Sequence, residues 1–399
     1  MTTTATAIFP NPLRWALGLW RDQKHRGTII QIMALVALLL FIGIIIRNTA
    51  INLQALGLEI GYDFLTEPAN YDINQHLIDY NSLSSHLRAT AVGVINTALV
   101  SVCGIILATV IGLFAGILRL SKNWLVNRIM YAYVEFGRNV PVLLQILLFH
   151  ALIIHTLPHP RASLSPMDGV FLSNRGFYVP QPVLEPAAWA ILAALVIAAA
   201  LAWWFAGHAK RVQENTGRHY PVFTINAALI IGLPLLAFFL AGRPIGLDFP
   251  QLKGFNYQGG MVLRPEFTAL WFALSFYAGA YIAELVRAGI LAINRGQTEA
   301  AYSLGLKPNW TMRLVILPQA MRVMVPPLIS QYLGLIKDSS LAIVIGYMDI
   351  VATIGGISLN QTGRALECMS ITLFIYLSIS LGVSTVMNWY NRRVSLVER

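Results

Sequence analysis

The sequence predicts an all-α, polytopic transmembrane helical bundle of about eight spans, and three observations carry that reading. Of 399 residues, 56% are hydrophobic and only 12% charged, and the mean hydropathy is +0.63. A soluble domain usually carries about 25% charged residues, so there are too few charges here to coat a soluble surface of this size. Apolar runs long enough to cross roughly 30 Å of hydrocarbon recur along the chain. The net charge of +10 is spread over short loops and forms no groove-like patch. That fits the excess of Lys and Arg in cytoplasmic loops and makes no case for nucleic acid. Lipid leaves an open strand's backbone groups unpaired, so the spans are helices.

Residues 1–28 carry Arg14, Arg21, Lys24 and Arg26 against Asp22, with Leu13, Leu17 and Trp20 at helical spacing. They fit either a short interfacial helix or a basic tail. Ile29–Ile46 is a first span, read as a signal anchor with the N-terminus inside. Arg47–Leu87 holds Glu59, Asp63, Glu67, Asp72 and Asp79 and is expected outside. The second span, about Ala91–Leu118, contains Gly93, Gly104, Gly112 and Gly116, which let neighbouring helices approach closely. Arg119, Lys122 and Arg128 follow it and are expected inside.

The third span ends near Ile154 and starts within YAYVEFGRNVPVLLQ, with a break at Pro141. His150, His155 and His159 come next; Pro158 and Pro160 keep the last two off one regular helical face, so surface histidines are the expectation and no metal site is assigned. Cys103 and Cys368 fall in apolar segments and read as buried thiols. Residues 156–186 are polar and outward. Spans four and five, about Ala187–Phe205 and Thr224–Leu240, are joined by a loop with His208, Lys210, Arg211 and Arg218 against Glu214, which places it inside. Residues 241–265 return outside. Span six is about Glu266–Leu291, span seven about Leu328–Tyr347 and span eight about Met369–Tyr390, with Arg392, Arg393 and Arg399 inside.

One polar stretch interrupts this pattern: 296–318, GQTEAAYSLGLKPNWTMRLVILP. Thr298 is expected to cap a first short helix, with Glu299 against its positive end. Ala300 and Ala301 keep one face small. Gly305 suits the left-handed turn that ends the helix, Pro308 the first turn of a second helix, and Pro318 the stop or kink of that helix or of the approach to the next. Lys307 stands where Ser or Thr would be the better cap. The expectation is helix, sharp turn, helix at a membrane surface.

This stretch resembles the EAA loop of ABC-transporter permeases, with Glu299, Ala300, Ala301, Gly305, Ile316, Leu317 and Pro318 in the pattern's places. Tyr133, Glu135, Arg138, Pro141 and Gln145 match a motif of the polar amino-acid permeases, although Asn139 and Val140 depart from its Gly-Thr. Ala280, Tyr281, Ala283, Glu284 and Arg287 match the same histidine-type (HisMQ) subfamily, as do Lys337, Asp338, Ser339, Ser340 and Leu341. The similarity covers about 88–154 and 266–393, and the added length resembles the general L-amino-acid permeases of the Aap/Bzt type.

The resemblance implies a type I importer core of five spans with three additional spans. The organisation is then a basic segment, first span and acidic outer loop (1–87), a first part of the core (88–154), inserted loops and a helical hairpin (155–265), and a second part of the core (266–399). It implies a bacterial inner-membrane subunit with both termini cytoplasmic. Its partners would be ATPase subunits holding ATP and Mg, a second permease that is a different chain, a periplasmic substrate-binding protein, an amino-acid substrate and the bilayer. The ATPase would couple through Glu299, Ala300, Ala301, Gly305 and Pro318.

No GxxxxGK[ST] phosphate loop occurs, and no nucleophile–base arrangement or metal cluster is evident, so the chain is not expected to be an enzyme or to hold a cofactor. Intramembrane charges are costly and belong in the bundle interior. Glu284 with Arg287, Glu135 with Arg138, and Lys337 with Asp338 are the candidates, all expected in or near the inner half. Two roles are open: they hold an amino-acid zwitterion, or they pair with one another and fasten an inner gate. The competing classes are an ion-driven carrier and a membrane scaffold. No clear internal repeat supports the carrier, and the cytoplasmic loop argues against it.

Overall fold

The computed structural model describes residues 23–55, 57 and 60–394. The expected interfacial segment with Leu13, Leu17 and Trp20 lies outside them, as do Glu59 and Arg399. The chain divides into two units, Met1–Asp63 and Phe64–Arg399. In the first, Gln23–Ala55 forms one apolar helix, α1, whose described side chains are nearly all exposed, as befits a lipid-facing span.

In the second unit the spans are α2 (His86–Leu118), a bent pair α3 (Trp124–Asn139) and α4 (Val142–Thr156), α5 (Trp189–Thr216), α6 (Val222–Leu240) and α7 (Pro265–Leu291). Helices α8 (Arg295–Ser303) and α9 (Pro308–Thr311) lead into α10 (Leu317–Asp338), and α11 (Ala365–Val394) is last. Among the described residues there are seven helices able to cross a membrane, or eight with α3–α4 as one broken span. The third span is bent by 110°. Span seven begins earlier than expected, because helix runs on from Pro308.

Helix α7 is the centre of this unit, and α2, α3, α4 and α10 pack around it. Val100, Ile146, Leu270, Leu274, Ile282 and Leu335 form the middle of the core. In lipid, apolar burial alone does little to hold helices together, so close packing and hydrogen bonds must. The glycines of α2 supply the packing. A β-carbon on Gly112 would stand 2.5 Å from Ile282, and one on Gly116 2.7 Å from the Ala283 carbonyl.

Helices α5 and α6 pack on each other; of α5 only Ala198, Ala202 and Ala209 are buried, and of α6 nothing. The loops on either side of this hairpin, expected only as outer segments of an all-α chain, fold into short antiparallel strands. These are β1 (Leu164–Met167), β2 (Val170–Ser173), β3 (Gly176–Val179), β4 (Gln181–Leu184), β5 (Ile245–Asp248), β6 (Gln251–Lys253), β7 (Asn256–Gln258) and β8 (Met261–Leu263). They pair as β1-β2-β3-β8, β4-β5 and β6-β7. Strand β3 pairs with β8 across the whole hairpin, with Tyr178 opposite Val262, and β4-β5 pins the hairpin's entry and exit. The Tyr178 hydroxyl donates to Asn256 Oδ1 at 2.6 Å. The ban on open strands applies in hydrocarbon, and these loops lie beyond the helix ends. The unit therefore has a sheet end, and an opposite end that is basic.

Candidate functional site

The 296–318 loop lies at the basic end. Asn294 caps α8, accepting from the Gly296 N–H at 2.8 Å. Thr298 is therefore inside the helix and is not its cap, and Glu299 sits past the first turn. Asn294 wins because its side chain reaches the free N–H groups while its own backbone stays extended. Gly305 ends the helix at φ +78°; its N–H bonds the Tyr302 carbonyl at 2.9 Å, and the Leu306 N–H bonds that of Ala301 at 3.1 Å. This reversal needs the conformation glycine adopts most readily. Pro308 opens α9, and Lys307 makes no side-chain cap bond.

Of the two places open to Pro318, the structure takes the approach to the next helix. A π-helical turn, Met312–Ile316, joins α9 to α10, and Pro318 occupies the first turn of α10. The wider turn absorbs the amide that proline lacks. Ala301 is buried; Glu299 and Ala300 are exposed, as are Tyr302, Leu304, Trp310 and Leu314, with Leu304 82% accessible. Tyr and Trp, types enriched at interface cores, are thus exposed beside the turn together with apolar Leu304.

Also at the basic end is an ion cluster. Both oxygens of Glu284 are engaged: Oε2 accepts from Arg119 Nη1 and from Arg287 Nε at 3.2 Å, and Oε1 from Arg287 Nη2 at 2.7 Å. Arg119, at the C-terminal cap of α2, thereby ties that helix to α7. Its other nitrogen stands 3.9 Å from Glu135 Oε1 on α3. Glu135 and Arg138 do not pair as their spacing suggested. Glu135 accepts from Asn139 Nδ2 at 3.0 Å, while Arg138 lies over the Tyr281 ring, 5.5 Å from its centroid.

Lys337 and Asp338 are not part of this cluster. They close α10, and the neighbouring Leu335 packs at Gly104, midway along α2. Lys337 is exposed and Asp338 half-buried, with no ion pair on Asp338 among the described residues.

The bend between α3 and α4 accounts for two motif residues. Pro141 starts α4, and buried Gln145 donates its amide to the carbonyls of Gly137 at 3.0 Å and Val140 at 2.9 Å. It satisfies groups that the end of α3 leaves open. Tyr133 donates to the Phe276 carbonyl at 2.9 Å, fastening α3 to α7.

Sequence reasoning missed two residues. Arg119 was read as a topology charge; its position directly after a glycine-rich span was the available signal. Asp349, in the connection between α10 and α11 and outside both, is fully buried. Its carboxylate accepts from the Ala352 N–H at 2.8 Å and the Tyr376 hydroxyl at 3.2 Å. Burial pushes its carboxyl up to about 7, against the pull of those donors. An acid between two spans with no base beside it was the signal. His155 and His159 are exposed and His150 half-buried; Cys368 is buried and Cys103 half-buried.

Residues 216–396 match the family described as "Binding-protein-dependent transport system inner membrane component". The chain is 47% identical over 374 residues, 94% of its length and 95% of the relative's, to YhdX of Escherichia coli (strain K12), a protein provisionally assigned as an amino-acid ABC transporter permease. It is 44% identical over 378 residues, 95% and 94% of the two lengths, to the general L-amino acid transport system permease protein AapQ of Rhizobium johnstonii. It is 46% identical over 409 aligned positions, 95% and 96%, to the glutamate/glutamine/aspartate/asparagine transport system permease protein BztB of Rhodobacter capsulatus.

Proposed function

The chain belongs to the family of amino-acid ABC-transporter permeases, and from that membership we propose how its parts carry transport. It is the membrane permease subunit of an ATP-binding-cassette importer for L-amino acids and is not itself an enzyme. It is a multi-pass inner-membrane protein that works with an ATPase and a substrate-binding protein.

In the proposed mechanism 296–318 faces the cytoplasm and is the surface on which the ATPase acts, ATP and Mg being held by that partner. One observation carries this assignment: the exposed α8 turns at Gly305 into a helix that runs without a break into α10. A push on Glu299–Gly305 therefore moves a span that packs on α7. Exposed Tyr302, Leu304 and Trp310 offer the apolar contact, and Pro318 with the π turn supplies a place to flex.

With the loop inside, both termini are cytoplasmic. The second permease is proposed to be a different chain. The Glu284 cluster is assigned to an inner gate, because Arg119 and Arg287 engage both carboxylate oxygens and already neutralise the charge that a substrate ammonium would need. Glu135 and Arg138 belong to its rim. Asp338, half-buried and mid-depth, is the remaining candidate for an ammonium, with Lys337 beside it for a carboxylate. ATP-driven closure would shift the bundle between outward and inward access, and substrate contributes by differing affinity for the two.

The test places a cysteine at Leu304 in the assembled importer. With the ATPase stripped away, a membrane-impermeant reagent should label it in inverted vesicles only, and in the assembled importer a short cross-linker should join it to the ATPase. Labelling in right-side-out vesicles, or no cross-link, would overturn the assignment.

A further inference from the structure

The α5–α6 hairpin touches the transport core little, yet its basic end is built in a particular way. Trp203, Gly207 and Lys210 form one row along α5, and Trp204, His208 and Arg211 the row beside it, at the i, i+4, i+7 spacing of a single helix face. Together they border a shallow groove of about 430 Å³. Gly207 is its floor: a β-carbon there would meet nothing within 4 Å. Trp203 and Trp204 are 82% and 63% exposed, and the Trp204 and His208 rings stack at 5.6 Å. Lys210 and Arg211 form the far rim; Lys210 has one loose partner, Glu214 at 3.9 Å.

We propose that this groove holds the headgroup of an anionic phospholipid of the inner leaflet. Depth and charge both favour that occupant. From Trp189 at the sheet end, helix rise carries Lys210 about 30 Å along α5, the thickness of the hydrocarbon. The cations therefore meet the phosphate layer, and the tryptophans lie about 10 Å above it, beside the acyl chains. Arg218, over the Tyr220 ring at 5.8 Å, adds positive charge at the same end. The Trp203 row continues along α5 as exposed Val196 and Leu192, which gives an acyl chain an apolar track. The proposal rests on the basic end facing the cytoplasm, which the vesicle-labelling experiment tests separately.

The intact importer is purified in mild detergent with equal phosphatidylglycerol and phosphatidylethanolamine, and retained lipid is counted by native mass spectrometry. Wild type should keep phosphatidylglycerol in preference. Each Lys or Arg at an anionic surface is worth about fivefold, and Glu214 offsets part of Lys210. The double variant K210Q/R211Q should therefore lose retention by roughly tenfold, and W203A/W204A should weaken it with the cations intact. All four side chains project from the hairpin surface, and an unchanged elution volume confirms folding. No lipid preference, the same preference in K210Q/R211Q, displacement by millimolar inorganic phosphate, or a Lys210 cross-link to the ATPase would each overturn it.

Discussion

Gln145 donates its side-chain amide to the Gly137 carbonyl at 3.0 Å and so closes the elbow at which the third span bends. The same amide reaches Val140 at 2.9 Å, and the residue is fully buried. One side chain from α4 thus completes the end of α3.

Replacing Gln145 with leucine leaves both carbonyls without that donor. Such a loss costs about 1–3 kcal/mol, and the thermal midpoint of the purified importer should fall by several degrees. Gln145→Glu in its protonated form can restore only one of the two bonds and should fall between. A midpoint for Gln145→Leu within a degree of wild type would show that the elbow holds without this side chain.

A second prediction concerns Arg119 and Glu284. Breaking a buried pair on one side costs about 3–5 kcal/mol. Here the Glu284 side chain is 23% exposed and that of Arg119 9%, so solvent screening reduces the expectation to about 1–3 kcal/mol. Glu284→Gln should lower stability and raise ATP hydrolysis without transported amino acid, because α2 is then held to α7 by packing without the ion pair. The double variant R119Q/E284Q should recover part of the stability. Strict additivity in the cycle would mean that the two side chains do not interact.

How far the sequence foretold this molecule depended on the kind of signal. Hydropathy located the spans, since apolar length is a local property. The glycines of α2 announced close packing, and Gly112 and Gly116 do meet α7. The EAA pattern placed the turn at Gly305, where a single dihedral decides the matter. What escaped was set by tertiary geometry. The cap fell to Asn294 because of where α7 ends. The place of Lys337 and Asp338 away from the Glu284 cluster depended on helix running on from Pro308 through α10 and on the π turn. Short strands such as β3 and β8 are paired across a helical hairpin, and no local period in Gly176–Val179 or Met261–Leu263 reveals that partner. Arg119 looked like any loop cation until Glu284 was beside it.

Asp349 predicts a pH dependence. Its carboxyl is raised to about 7 in the fold, against about 3.9 in an unfolded chain. Between those values the folded protein holds a proton that the unfolded chain releases. Its contribution is fully present below about pH 4 and is lost as pH rises through about 7. Asparagine keeps an acceptor for the Ala352 N–H and never ionises. Stability of wild type should therefore decline from pH 4.5 to 7.5 relative to Asp349→Asn, by a few kcal/mol at most. The difference between the two midpoints isolates this group from every other titration. Parallel curves would place the charge elsewhere.

The turn at Gly305 gives the sharpest test of coupling, because strain and contact can be separated there. Its φ is +78°, and a β-carbon would meet nothing within 4 Å. Within this chain a substitution therefore acts through the backbone conformation alone. Asparagine tolerates the left-handed region and valine does not. Gly305→Asn should keep substrate-stimulated ATPase activity within about twofold, since the left-handed cost to Asn is small. Gly305→Val should lose about 1–2 kcal/mol locally and redirect the chain into α9, so that Tyr302 and Leu304 no longer form one surface with Trp310. Uptake should fall at least tenfold, with the ATPase either dissociated or hydrolysing without response to substrate; a loss of 1.4 kcal/mol is already a factor of ten in an equilibrium. Equal losses in both variants would point to the added side chain blocking a partner. Normal uptake with valine would remove the turn from the path by which force reaches α10.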